Sequence, residues 1–232
     1  MDQAETGAAR ERIMDAAGDV FGRKGYKAAT VRGICQQAGV NLAAVNYYFG
    51  GKQALYREVA LDLIGRVFRR YPVDGGLTPH APAPERLRAF VRATFNRLVS
   101  PGGIMADSGK GRLVARELVD PSELLEDVVA DFIRPTAQVL VAIVGDLVGP
   151  DADPKEVAKC MISVIGQCFH YAMARPIVTR LTGMDLTDEA TLEDLVDHVT
   201  RFSLAGMEKI RDLSAEACQD RAIISNSEEP GK

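Results

Sequence analysis

None of the four cysteines, Cys35, Cys160, Cys168 and Cys218, pairs with another in a C-x-x-C motif. Thiols scattered in this way point to a reducing compartment and exclude a disulfide framework or a thiolate metal site. The three histidines, His80, His170 and His198, lie far apart without H-x-x-x-H spacing, so no structural zinc is expected, nor any other cofactor. The opening residues, MDQAETGAARER, lack the apolar stretch of a signal peptide, and no apolar run is expected to reach bilayer-spanning length. These absences lead to the expectation of a cytoplasmic protein with no membrane partner. Strong charge is also missing, since the net is −4 over 232 residues. A general polyanion binder would be basic throughout, so any contact with nucleic acid must come from a local face. No convincing strand pair or hairpin signal appears either.

What is present is helical periodicity and ample apolar material, 47% of residues. The expected fold is all-α. Ile13, Ala16, Ala17, Val20 and Phe21 recur at three- and four-residue spacing over about 8–23, and Gly25 should stop that helix. Thr30 suits the N-cap of a short helix from Val31 to Ala38, closed by Gly39. Asn41 suits the cap of a third, Leu42 to Tyr48, ended by Gly50-Gly51. A fourth is expected over about 52–68. The stretch YPVDGGLTPHAPAP, Tyr71 to Pro84, reads as a linker. Further helices are expected near 87–98 and 112–119. Another should run from Pro121 through Leu147 with a kink at Pro135. A helix capped by Asp153 should follow to Arg175, and a last one from Thr191 to Ala217. The domain division that follows is 1–52, 53–217 and a flexible tail, 218–232.

The segment GVNLAAVNYYFGGKQALY, Gly39 to Tyr56, is the chemically unusual one. Two short helices joined through Gly39 form a helix-turn-helix, with Ile34, Cys35, Ala38, Val40 and Val45 holding the angle between them. Ala43, Ala44, Asn46 and Tyr47 are then left to point outward. An amide can pair with adenine in a major groove, and alanine methyls can touch thymine methyls. Tyr47 and Tyr48 can donate to phosphates, and Lys52 at a helix start can hold one with the backbone N–H groups there. Thr30 and Arg32 suit the opposite side of the groove. Taken in isolation, two helical tyrosines are more often packing residues, Phe49 reads as core, and a cap at Asn41 is structural in most helices.

The run from Arg12 to Val59 resembles the N-terminal DNA-binding domain of the TetR family of bacterial transcription regulators. The matching residues are Ala16-Ala17, Phe21, Gly25-Tyr26, Thr30-Val31, Ile34, Ala38-Gly39-Val40, Tyr47, Phe49, Lys52 and Leu55. The resemblance implies phosphate contacts at Thr30, Tyr47 and Lys52, and a variable recognition surface at Ala43, Ala44 and Asn46. Tyr48 stands where many relatives carry histidine, and Asn41 where many carry serine. Further along, Arg112 to Gly149 is similar to the CecR-type C-terminal domain, on the order Arg-Glu-Leu-x-Asp-Pro-Ser at Arg116 to Ser122.

The expected function is a ligand-responsive, homodimeric repressor that binds a palindromic double-stranded DNA operator. A small hydrophobic or amphipathic effector would release it. The last two helices, with wide apolar stripes, are expected to join the dimer as a four-helix interface. Candidate effector-pocket residues are Phe95, Arg116, Phe132, Gln138, Gln167, His170 and Tyr171, although each also suits an ordinary core or surface position. Two other classes are weighed. A nucleoid-associated interaction protein would use DNA only as an address. A small all-α enzyme would need a nucleophile and base, but Cys168 and His170 are two apart on a helix and point to different sides.

Overall fold

The computed structural model describes residues 3–105, 113–114 and 122–227, and every regular element among them is a helix. Two compact units are present. The first comprises residues 1–70 and 99–133, the second residues 71–98 and 134–232.

The first unit begins with α1 (Gln3–Ala28), which carries a break at Gly25, where φ is 76° and ψ 169°. Only glycine adopts that conformation without cost, so the chain can turn there and present Tyr26 in a new direction. Residue 30 is extended, and its hydroxyl accepts the N–H of Gly33 at 3.1 Å, which starts α2 (Val31–Ala38) as its sequence predicts. Gly39 ends α2 in the left-handed region at φ 64°. Helix α3 (Ala43–Phe49) starts one residue later than expected. The Asn41 side chain still caps it, accepting the N–H of Ala43 at 3.0 Å. After Gly50 and Gly51, both at positive φ, comes α4 (Lys52–Arg70). Ile13, Ala17, Phe21, Ile34, Val45 and Leu55 are fully buried in one cluster shared by the four helices. Each of the larger side chains among them contributes about 1.5–3 kcal/mol relative to exposure, enough to fix the angle between the two short helices.

In chain order the next helix, α5 (Ala83–Val99), belongs largely to the second unit, and α6 (Leu124–Val128) returns to the first. Helix α4 packs on α6. Arg57 reaches Asp127 through two hydrogen bonds of 2.5 Å, and Gln53 donates to Glu123 at 3.0 Å. The guanidinium holds the Asp127 carboxyl below its ordinary pKa. A wide π turn, Val129–Ile133, follows α6 and sets Phe132 against Phe68 with ring centroids 5.2 Å apart. The interruption expected at Pro135 therefore takes the form of a π turn just ahead of it, where the hydrogen bonds are already out of α register.

The second unit contains α5, α7 (Arg134–Val148), α8 (Pro154–Met173), α9 (Arg175–Thr182) and α10 (Glu189–Ser227). Asp153 caps α8 by accepting the N–H of Lys155 at 2.8 Å, with Pro154 at the first turn. Helices α7, α8 and α10 pack together. Arg88 and Arg92 of α5 meet Glu193 and Asp197 of α10, with the Arg88–Asp197 bond at 2.6 Å. Arg97 is buried, donates to the Tyr71 carbonyl at 2.7 Å, and has its pKa lowered by desolvation to about 10. The boundary between the two units falls at 70–71, at the start of the stretch read as a linker, and Arg97 holds its first residue.

Several sequence expectations differ from the structure or fall outside the described residues. Helix α8 ends at Met173, and α9 is an additional helix, because Pro176 reads as a terminator yet sits in the first turn of a new one. The last helix continues past Ala217 to Ser227. Leu124–Val148 is long and apolar enough to cross a bilayer by length and composition, contrary to the expectation of no such run. Its Leu124 and Val128 pack in the first unit's core, and Leu140, Ile143 and Val144 are buried. Of the helix expected at 112–119, only Leu113 and Val114 lie within the described residues, both helical and buried.

Candidate nucleic-acid interface

Helix α3 divides its seven residues between two environments. Val45 and Phe49 are buried, whereas Ala43, Asn46 and Tyr47 are exposed, Tyr47 to 72%. Ala44 and Tyr48 are intermediate and lean on the core cluster. The Tyr48 ring meets Tyr47 edge-on at 4.9 Å and Phe49 at 6.4 Å. An apolar body runs from buried Phe49 out to an exposed phenol.

Thr30, Arg32, Asn41 and Lys52 lie at the helix starts of the same unit. Thr30 and Arg32 are exposed at the start of α2, and Asn41 is exposed in the turn before α3. The Thr30 hydroxyl accepts from Gly33 and so keeps its own hydrogen available for donation. Lys52 opens α4, where the first backbone N–H groups have no partner within the helix and the dipole favours an anion. Its ammonium lies 4.4 Å from the centre of the Tyr26 ring.

Charge supports the same face through a pattern that motif and spacing do not reveal. Between Asp19 and Glu58 the sequence contains no carboxylate, yet it contains Arg23, Lys24, Lys27, Arg32, Lys52 and Arg57. Arg23 donates to Gln37, and Arg57 is taken by Asp127. The whole chain is slightly acidic, so this run is a local cationic zone of the kind a phosphate backbone attracts. The gap in acidic residues is visible in the sequence itself.

The candidate pocket residues fall in both units and in different environments. Phe95 is fully buried, with its ring centre 6.2 Å from that of Tyr171. Gln167 bridges α8 and α10 by donating to Ser203 at 3.3 Å. Gln138 and His170 are exposed. Phe132 belongs to the first unit, and Arg116 lies outside the described residues. A cleft of about 650 Å³ in the second unit is lined by other residues, among them Asp151, Asp153, Ile210 and Leu213. Burial drives the Cys168 thiol up to about 12, the wrong direction for a nucleophile.

Comparison with known proteins agrees with this geometry. Residues 13–59 match the family model described as bacterial regulatory proteins, tetR family. Residues 83–207 match the C-terminal domain of the HTH-type transcriptional dual regulator CecR. The chain is 26% identical to CecR of Shigella flexneri, over 83% of its own length and 88% of that protein. Its fold is shared by a TetR-family regulator from Streptomyces coelicolor, with TM-score 0.59 and 21% identity over 87% of this chain and 97% of that one. Also similar is a regulator FadR from Bacillus subtilis, solved with stearoyl-CoA, with TM-score 0.58 and 19% identity over 85% and 98% of the two chains.

Proposed function

Because the chain belongs to the TetR family of bacterial regulatory proteins and carries a CecR-type C-terminal domain, we infer that this DNA-binding transcriptional regulator is a ligand-responsive, homodimeric repressor of a palindromic operator. Helix α3 enters the major groove. There Asn46 reads a base edge, and Ala43 and Ala44 pack on base methyl groups. Tyr47, Tyr48, Thr30, Arg32 and Lys52 hold phosphates on either side, and Asn41 fixes the start of the helix. The observation that carries this is the exposure of Tyr47 and Asn46 on a helix whose opposite face is locked in the core. Residues 1–52 supply the contacts. Residues 53–217 supply ligand binding and dimerisation, and 218–232 follow as a tail.

Helices α8 and α10 form the dimer interface. Ile162 and Phe202, exposed to 63% and 65%, give the two helices apolar surface that a twofold partner would cover. The effector is small and hydrophobic or amphipathic, in keeping with the stearoyl-CoA held by the Bacillus subtilis regulator. Within the second unit, Phe95, Gln138, Gln167, His170 and Tyr171 are the candidate contacts. The ligand acts by favouring a dimer whose two α3 helices are wrongly spaced for the operator.

Salt titration tests the DNA face. Binding should weaken steeply as salt rises. Replacing Lys52 with alanine should lower the slope by about one for each bound protomer, and Tyr47→Ala should weaken binding to all sequences alike. An unchanged slope in the first case, or unchanged affinity in the second, would remove that phosphate assignment.

A further inference from the structure

The contact between Lys52 and Tyr26 joins the end of α1 to the start of α4. Lys52 is the first residue of α4, set by the Gly50-Gly51 turn, while Tyr26 follows the Gly25 break in α1. The Tyr26 ring is itself pinned, 5.0 Å from Tyr56 and 6.4 Å from Phe21. Tyr56 in turn meets Phe21 edge-on at 5.0 Å, and both of those residues are buried. A stack of rings therefore runs from the core to the surface and ends under an ammonium at 4.4 Å.

We propose that Tyr26 is a positioning residue for phosphate binding: its ring face holds the Lys52 ammonium over the start of α4, ready for the DNA backbone. A free lysine side chain has four rotatable bonds and gives up rotamer freedom when a contact fixes it. The ring holds one side of the ammonium electrostatically, and the remaining N–H donors face outward. Phosphate then meets a donor that is already placed, beside backbone N–H groups that attract the same anion. The opposite effect, in which the ring holds the lysine back, predicts a change of opposite sign on removal. The proposal rests on Lys52 being a phosphate contact.

The probe is a mixed-sequence duplex read by fluorescence anisotropy at graded salt, since phosphate contacts carry no sequence information. Lys52→Ala should weaken binding and lower the salt slope. If it changes neither, Lys52 is not a phosphate contact and the proposal fails along with that reading. With Lys52 present, Tyr26→Leu should weaken binding about threefold per bound protomer, whereas Tyr26→Phe should bind like the parent. In the Lys52→Ala background, Tyr26→Leu should have no further effect. Replacing residue 26 by phenylalanines of increasing fluorination keeps the ring's packing while draining charge from its face, which covers the case in which the leucine variant does not fold. Affinity should fall stepwise along that series only when Lys52 is present. Three results would overturn the positioning role while leaving Lys52 a phosphate contact: tighter binding by Tyr26→Leu, losses that simply add to those of Lys52→Ala, or a flat response to fluorination.

Discussion

At the scale of single residues, Asn46 and Thr30 carry the most separable roles. Replacing Asn46 with alanine removes an exposed amide and no core side chain, so folding should be untouched. Preference at one base position per half-site should relax by ~1–3 kcal/mol. Selection of bound sequences from a random pool reads this directly, and an unchanged motif would refute the role. Thr30 both caps α2 and offers a hydroxyl. Thr30→Ala should cost ~1 kcal/mol in denaturant unfolding, and Thr30→Ser should restore most of it. Asp127 gives a pH signature. Its carboxyl pKa is lowered by Arg57 in the folded protein, so its stabilising effect is present above the unfolded value and is lost as acid protonates it. The melting temperatures of the parent and Asp127→Asn should therefore differ near neutral pH and converge as pH falls below about 3.9. A gap that persists in acid would show that the pair does not act through its charge.

At the scale of elements, the turn between α2 and α3 depends on Gly39. A Cβ there would meet nothing within 4 Å, so the penalty for alanine is purely one of backbone conformation at φ 64°. Gly39→Ala should lose ~1–2 kcal/mol, measurable by urea unfolding, and should weaken DNA binding by loosening the α2–α3 angle. The helix boundaries near Thr30, Gly39, Gly50 and Asp153 were legible in the sequence because capping is local chemistry between residues a few positions apart. The all-α fold and the membership in its family were legible for a related reason, since the spacing of Phe21, Ile34, Tyr47 and Leu55 records a packed core. Other features were not legible. Helix α9 was hidden because a proline can end one helix or begin the next. The π turn ahead of Pro135 depends on how Phe132 seats against Phe68. The Arg57–Asp127 clamp, the burial of Arg97 and the Lys52–Tyr26 contact join residues far apart in sequence, which no periodicity announces. Exposure of Asn46 and Tyr47 agreed with the outward face expected of α3, while Ala44 proved half-buried. The candidate pocket residues were chosen by residue type, and residue type does not specify direction.

At the scale of the whole molecule, the proposed function requires two copies. Two α3 helices must reach major grooves ~34–36 Å apart, or a multiple of that, which one protomer cannot do. Phe202→Glu places a charge on exposed apolar surface of α10, so it should leave the monomer fold intact. Light scattering should then report half the parent mass, and affinity for an inverted-repeat site should collapse to that of a single half-site. A parent protein that scatters as a monomer at micromolar concentration would count against the dimer.

If α3 lies in the major groove it should shield guanine N7, an atom that faces only this groove, and methylation protection reads that shielding. On a duplex selected by the protein, two protected clusters should appear on one face of the DNA, about one helical turn or a multiple apart, and Tyr47→Ala with Lys52→Ala should erase them. A bound duplex whose guanines remain fully reactive at N7 would contradict the account.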